Sequence, residues 1–436
     1  MEEQPQAEEN ARPLPGPRRL VTPTREALLR SFAAHETRSK LWIAVEVLVI
    51  LGGTAWWAAQ PPGDMPGWQF ALLFAFAFLG MFDFILTQQM TNRKRLEDIR
   101  PDAKLGMHTR DSLLAAVKRV QERLGMTRQR VPVYLAREKD VNAFATRLEL
   151  LPGWHFFNSV QLNRSIVHLL DEKELESVIG HELGHVQAYS PIASRCMLIH
   201  ALLSGVLALV IAQLLQHTNI YIGAPLLAIG AARWVAFSTW VTQIRLVEFL
   251  CDDHGARAAG LVPAITTEIK LGMEHEARQA LLLRVLEAKR RHASVPIADL
   301  LKEYEDAMPF GGVQSDQARA QLEQGIKRRL TEHNESSLKG FFNFAFKSDD
   351  TDQDALKESI VKIRVARSLA KVPASLPEVI KDPRRLLPDL VRSIEDHPDH
   401  VLFHLEAEVD DRGATHPNTS RRILYLWRNR EAIAAT

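Results

Sequence analysis

Four long apolar stretches restrict what this 436-residue chain can fold into more than any other feature. Leu41–Ala59 and Trp68–Thr87 each have about the length an α-helix needs to cross a bilayer, and a second pair follows at roughly Cys196–Leu215 and Ile220–Val241. The connectors within each pair are short. Gln60–Gly67 is rich in Pro and Gly, Gln216–Asn219 is a polar turn, and neither holds a Lys or Arg. Arg38, Lys40, Arg93, Lys94, Arg95, Arg195 and Arg245 flank the other ends, so the positive-inside rule puts both termini and the intervening polar segments in the cytoplasm. Trp56, Trp57, Trp68 and Trp240 suit interfacial anchors. Glu46 and Asp83 lie inside the first pair, and His200 and Arg233 inside the second. Such groups are either functional or, as for Glu46 and Arg233, snorkelling or paired between helices. The second pair has an alternative reading as a hairpin that dips into the bilayer without crossing it.

Between the two pairs stands His181-Glu182-Leu183-Gly184-His185. Asp171 followed by Glu174 reads as an N-cap with its capping-box partner, and Leu175, Val178, Ile179, Leu183 and Val186 fall on one helical arc. Residues four apart on a helix share a face, so His181 and His185 can offer two imidazoles to one metal ion. Glu182 falls within the apolar arc, where a carboxylate is costly unless it faces a cleft or a metal. A glutamate between two helical histidines is the arrangement of a zinc peptidase whose general base acts on the attacking water. A catalytic zinc site usually takes three protein ligands. Glu248, in the run Arg245–Asp252, is the best third ligand, and Asp252, one helical turn on, can accept a hydrogen bond from the far nitrogen of a ligand histidine. Taken alone, Glu248 and Asp252 read as a solvated pair, and Cys251 is a less favoured alternative ligand.

The order of these features resembles the HtpX-type membrane zinc metallopeptidases, related to the CAAX prenyl endopeptidases. Two further stretches carry the likeness. Val141-Asn142-Ala143-Phe144-Ala145 resembles the family's Asn-Ala-Phe segment, and Thr415-His416-Pro417-Asn418-Thr419-Ser420-Arg421-Arg422-Ile423 resembles its C-terminal signature. The resemblance implies that Asn142 helps hold the substrate backbone beside the cleft, that His416 stabilises the oxyanion and that Arg422 helps position the Glu ligand. His397-Pro398 competes with His416 but lacks an Arg six residues on. Cys251 stands where the family usually has Ala, and Arg147 where a Gly is common. The likeness covers roughly residues 40–260 and the last twenty or so.

The expected architecture is therefore mainly α: a multi-pass membrane protein with a zincin (gluzincin-type) α+β catalytic domain and a helical C-terminal region. Residues 1–40 read as a flexible cytoplasmic tail, 41–88 as a transmembrane hairpin, and 89–260 as the peptidase core containing the second hairpin at about 196–241. Residues 261–410 form an added helical region, and 411–436 complete the core. An amphipathic helix is expected at 110–124, and strands at Val131–Leu135 and around His155–Leu162. One of these, or the Asn142 segment, would offer an edge to an extended peptide. Helices are expected at Pro263–Arg291, Val313–Thr331 and Gln353–Ala370. The aromatic cluster Phe341–Phe346 either packs under them or docks on a membrane or an unfolded client.

The chain is 46% hydrophobic and 25% charged with a net charge of +1, which gives no reason to propose nucleic acid as a partner. Its two cysteines suggest no disulfide framework and fit a reducing compartment. The expected cofactor is one zinc ion per chain, and the expected partners are protein or peptide substrates and the lipid bilayer. The oligomeric state is not legible. The expected activity is endopeptidase cleavage of misfolded membrane or cytoplasmic proteins on the cytoplasmic side of the cell (inner) membrane. The rival reading is a catalytically silent membrane scaffold that keeps the peptidase fold. An aminopeptidase would need an acidic pocket for a free amino terminus, and no motif supplies one.

Overall fold

The computed structural model describes residues 22–59, 71, 75, 93–126, 131–136, 142–151, 154–190, 195–215, 223–290, 296–308, 323, 376–396, 402–403 and 417–435. The Thr24 hydroxyl accepts the Ala27 N–H at 3.3 Å and starts helix α1, Arg25–Ala59, a single run of 35 residues. Its two halves meet different surroundings. Leu28 is buried and Phe32 packs beside it in a core with Phe249 and Tyr425. Past Lys40, Leu41, Trp42, Leu48 and Leu51 are all more than half exposed. Among the described residues, α1 is the one helix long and apolar enough to cross a membrane, and its exposed leucines suit lipid. The tail expected over residues 1–40 is thus corrected at its end. Residues 25–40 are helical because Leu28 and Phe32, four apart, give this stretch a stripe to bury.

Strand β1 (Arg93–Arg95) follows, then the short ribbon β2 (Lys104–Leu105) and β3 (His108–Thr109), which turns at Gly106 with φ 66°. Helix α2, Arg110–Arg123, opens on a Thr109/Ser112 capping box and buries Leu113, Ala116, Val117 and Val120. Strands β4 (Val133–Ala136), β5 (Ala143–Leu151) and β6 (Trp154–Asn163) join β1 in a sheet of order β1-β4-β6-β5. β4 and β6 are parallel; the two outer pairings are antiparallel. The expected strands near 131 and 155 are present, and β5, the extension of the Asn142 segment, holds one edge.

After a short helix α3 (Arg164–Leu169), helix α4 (Glu172–Leu183) begins at the expected Asp171/Glu174 capping box. Leu175, Ile179 and Leu183 are fully buried in the core beneath the sheet. α4 then widens into a π-helical turn, Gly184–Ala188, closed by the Tyr189 N–H on the Gly184 carbonyl at 2.8 Å. Such turns are often found at functional sites.

The second apolar pair forms helices α5 (Met197–Leu214) and α6 (Gly223–Ala259). α6 runs 37 residues without a break, so one helix carries both the returning apolar segment and the Glu248–Asp252 pair. Glu46 of α1 meets His200 of α5 at 2.8 Å, so this carboxylate is one half of an interhelical pair. The expected second span, Trp68–Thr87, falls outside the described residues apart from positions 71 and 75.

Helix α7, Leu261–Arg290, restarts after Gly260 at φ 107°. It packs directly on α4, where Lys270 Nζ meets the buried Glu174 carboxylate at 2.6 Å, and Ile265 and Ile269 are fully buried. The boundary expected at 261 therefore cuts through the core, and α7 belongs to the same packed body as α4. α8 (Ile297–Ala307), α9 (Leu376–Lys381), α10 (Pro383–Asp396), α11 (Thr419–Arg428) and α12 (Arg430–Ala434) follow. Leu387, Leu390, Val391 and Ile394 of α10 and Ile423–Leu426 of α11 bury into the same core as Leu28. The expected helices at 313–331 and 353–370 and the cluster at 341–346 lie outside the described residues, position 323 excepted.

Candidate active site

Glycine brings two helices close enough to share a site. A Cβ added at Gly180 would lie 2.7 Å from Ala258 Cβ and 3.0 Å from Gly255 Cα, and one added at Gly255 would lie 2.6 Å from the Ser177 carbonyl oxygen. At Gly184 the neighbour is Cys251, with Sγ at 3.1 Å. Gly180 and Gly184 on α4 thus face Cys251, Gly255 and Ala258 on α6. A larger residue at these points would hold the helices apart. The contact sets how near the histidines of one helix come to the carboxylates of the other.

His181 Nε2 and His185 Nε2 lie 3.1 Å apart, and Glu248 approaches them at 3.5 and 3.4 Å through its two oxygens. All three residues offer donor atoms within 4.8 Å of one another. A tetrahedral zinc with donors at about 2.0–2.1 Å has donor–donor edges of about 3.3 Å. The His181–His185 nitrogen separation and the approach of one Glu248 oxygen to each imidazole lie near that value, and two imidazoles with one carboxylate are the donor set of a catalytic zinc site. The residues fit the ion.

The remaining nitrogen of His181 is also fixed. His181 Nδ1 lies 2.9 Å from Asp252 Oδ1. A carboxylate only accepts, so Nδ1 carries the proton and the Nε2 lone pair is left for a metal. Burial disfavours a charged His181, yet Asp252 and Glu248 outweigh it and hold its pKa well above the ordinary value. The site favours positive charge. Asp252 is itself gripped by Arg422, whose Nε donates to Oδ2 at 2.8 Å and whose Nη2 donates to Oδ1. Burial works against the Asp252 carboxylate, and the Arg422 charge more than offsets it, so its pKa is lowered. Arg422 Nη1 reaches Glu268 Oε2 on α7 at 2.5 Å.

Glu182 lies between the two histidines in sequence, on the same helix, and is buried. Cys251 is buried against Gly184, and burial with the nearby Glu248 and Asp252 charges pushes its thiol well up, so it stays protonated and packs. Asn142 is exposed at the start of β5, where its backbone carbonyl accepts the Asn163 N–H at 3.0 Å. Arg147 explains its own departure from the family's Gly. Its Nη1 donates to the Val186 and Gln187 carbonyls at 2.6 and 3.3 Å, and its Nη2 lies 2.5 Å from Glu149. It thereby ties the edge strand to the turn that carries His185. His416 and His397 lie outside the described residues.

Residues 108–428 match peptidase family M48. The chain belongs to that family. Among curated relatives, the chain is 28% identical over 222 residues to the Protease HtpX of Xylella fastidiosa (strain 9a5c), covering 47% of this chain and 71% of that one. It is 30% identical over 184 residues to the Protease HtpX of Stenotrophomonas maltophilia (strain K279a), covering 37% and 58%. A Protease HtpX homolog of Campylobacter curvus (strain 525.92) is 28% identical over 152 residues, covering 34% and 47%. The chain thus spans between about half and 71% of the length of these relatives. No solved structure matches. The family and the resemblance drawn from the motifs agree: this is an HtpX-like M48 member.

Some residues of the site were not singled out from sequence. Glu268 sits in the polar run Thr266-Thr267-Glu268 of a helix assigned to the added region. The shared role of Gly180, Gly184, Cys251 and Gly255 in a close crossing was legible in principle, since small residues four apart on each of the two motif helices mark one. Arg25, which meets buried Asp253 at 2.8 Å on the far side of α6, carried no local signal.

Proposed function

We propose that this M48 member is a multi-pass membrane zinc endopeptidase that cleaves misfolded membrane or cytoplasmic proteins, with its active site on the cytoplasmic side. The observation that carries the reading is the convergence of His181 Nε2, His185 Nε2 and Glu248 at 3.1–3.5 Å around one point. His181, His185 and Glu248 would hold the zinc, with Asp252 fixing the His181 tautomer. The bound ion supplies Lewis acidity toward the scissile carbonyl and the attacking water. Glu182 takes the water's proton and passes it to the leaving amine. Asn142 and the edge of β5 bind the substrate backbone as an added strand, which favours extended, unfolded segments over a fixed sequence. The resemblance gives His416 the role of an oxyanion donor.

The membrane assignment is supported by the exposed apolar half of α1 and by the charge pattern of the connectors. Two crossings by α5 and the first half of α6 complete the proposed topology, with Arg195 and Arg245 at the cytoplasmic ends. The decisive experiment compares casein cleavage by detergent-purified wild type and Glu182→Gln after zinc addition. Cleavage by wild type alone is expected. Silence from both, with zinc bound and the fold intact, would replace this reading with a membrane scaffold. Equal activity from both would trace the cleavage to a contaminant.

A further inference from the structure

Glu268 lies outside every motif that identifies the site, yet it closes a buried chain that ends on a metal ligand. The chain runs from Glu268 through Arg422 and Asp252 to His181, with contacts of 2.5 Å, 2.8 Å and 2.9 Å. It links three helices: α7, α11 and α6, and reaches α4 at His181. Each member is buried or nearly so, with side-chain exposures of 10% for Glu268, 13% for Arg422 and 2% for Asp252. A guanidinium is a rigid fork, and the direction in which it grips a carboxylate is set by where its third nitrogen is held. Two nitrogens of Arg422 take both oxygens of Asp252, and the third is held by Glu268.

We propose that Glu268 is a positioning residue for the metal centre: it fixes the plane of the Arg422 guanidinium, which fixes Asp252, which aims the ring of His181. This rests on the zinc reading above. Helix α7 does not depend on Glu268 for its place, because Lys270 pairs with Glu174 at 2.6 Å and Ile265 and Ile269 are fully buried beside it. Replacement of Glu268 therefore leaves α7 docked and loosens only the chain it ends. A glutamate that merely neutralised a buried arginine would act through its charge. A glutamate that positions acts through where its oxygen sits.

Three variants separate the two roles: Glu268→Gln keeps the acceptor oxygen in place without the charge, Glu268→Asp keeps the charge but withdraws it by about 1.5 Å, and Glu268→Leu removes both. The readouts are the zinc dissociation constant by competition with a chromophoric chelator, the melting temperature of the metal-free protein, and kcat on casein. His181→Ala serves as the non-binding control. Glu268→Leu is expected to weaken zinc about 10-fold, the lower end of the range for loss of a group supporting a ligand. Glu268→Asp is expected to follow it at about 3- to 10-fold, with Glu268→Gln within about 2-fold of wild type. kcat should fall in the same order.

Zinc affinity unchanged in all variants, with only the metal-free melting temperature altered, overturns the inference. So does Asp behaving as wild type while Gln weakens zinc. If the Leu variant does not fold, the order of Gln and Asp decides alone. A wild type that binds zinc no better than His181→Ala removes the zinc reading itself, a result distinct from any ordering of the Glu268 variants.

Discussion

Replacing Gly255 with Ala tests whether the close crossing of α4 and α6 sets the metal geometry. The added Cβ would sit 2.6 Å from the Ser177 carbonyl oxygen, 3.1 Å from Ser177 Oγ and 3.4 Å from His181 N. The nearest atom is backbone within a helix, so no side chain can swing aside. Bringing 2.6 Å up to the 3.0–3.4 Å at which side-chain carbons begin to be tolerated parts the helices by about 0.4–0.8 Å. The His181–Asp252 contact, 2.9 Å now, would then lengthen toward the limit of a hydrogen bond. The edges from Glu248 to the histidines would grow beyond what a zinc tetrahedron spans. Overpacking costs about 1–3 kcal/mol, and the better helix propensity of Ala returns about 0.5–1 kcal/mol. The net loss of about 0–2.5 kcal/mol corresponds to at most roughly 10 °C in the metal-free melting temperature. Zinc affinity should fall about 10- to 100-fold. Thermal melts and chelator competition on Gly255→Ala read both, with Gly230→Ala on the same helix as control, since a Cβ there meets nothing within 4 Å. A Gly255→Ala protein that melts higher than wild type and binds zinc as well would refute the argument that the crossing sets the site.

Three further outcomes follow from buried charge and packing. Glu176 is fully buried and meets Arg119, Arg123 and Lys173, which are about a third to a half exposed. Burial pushes its carboxyl up, but Lys173 and Arg119 more than offset this, so its pKa lies below the ordinary value. The resulting stability is present above the ordinary carboxylate range and is lost as pH falls through the lowered pKa. Glu176→Gln should cost about 1–3 kcal/mol at pH 7 by denaturant melts and nothing once the wild-type carboxylate is protonated. Burial, opposed by Arg422, pushes the Glu268 carboxyl up to about 7. The folded chain then binds this proton more tightly than the unfolded one, so metal-free stability falls as pH rises from the ordinary carboxylate range to about 7. That slope should flatten in Glu268→Gln melts at pH 5 and pH 8. Leu28→Ala should cost about 2–4 kcal/mol because the side chain is 1% exposed; an unchanged melting temperature would return residues 25–40 to the status of a tail.

The site was legible where its information is local. The capping box at Asp171 and Glu174, the two histidines one turn apart and the Glu248/Asp252 pair each lie within a single helix, and periodicity alone aligns them. Strand β4 and strand β6 could be read from their apolar runs. The edge strand β5 was harder, because Arg147 and Glu149 interrupt its apolar pattern. The partly buried Arg147 bonds the turn after His185 and the buried Glu149, which also meets Arg195, a role that no local pattern conveys. Glu268 and Arg25 failed to stand out for the same reason. A charge on a polar helix face reads as solvated until another helix covers it, and in both cases the covering partner lies more than 150 residues away. Arg422 shows how far resemblance carries: it singled out the residue, whose hydrogen bonds to Asp252 and Glu268 only the fold reveals.

The long apolar helix α1 packs against the elements that carry the candidate site, and this predicts that the peptidase core cannot be freed from its first helix. At about 1.5 Å per residue, the 35 residues of α1 reach about 50 Å, against about 30 Å of hydrocarbon. The surplus is the half that carries Arg25, Leu28, Phe32 and Glu36. Phe32 packs edge-on against Tyr189 at 5.7 Å, just past the π-turn, while Arg25 meets Asp253, the neighbour of Asp252, at 2.8 Å. Glu36 pairs with Arg195 at 3.2 Å, and Arg195 with Glu149 at 3.0 Å on the edge strand. One helix thus contacts the turn after His185, the helix of Glu248 and, through Arg195, the proposed substrate strand. A chain beginning at residue 93 would leave Asp253 buried without its arginine and a cavity where Leu28 packs. Removing one partner of a buried pair costs about 3–5 kcal/mol, and the lost leucine adds about 2–4 kcal/mol. Together these approach the whole stability of a typical domain, about 5–15 kcal/mol. Such a protein should fail to bind zinc with wild-type affinity and should melt without cooperativity. If it instead runs as a single species, holds zinc and cleaves casein, the first helix is an anchor alone and its contacts with the catalytic helices are incidental.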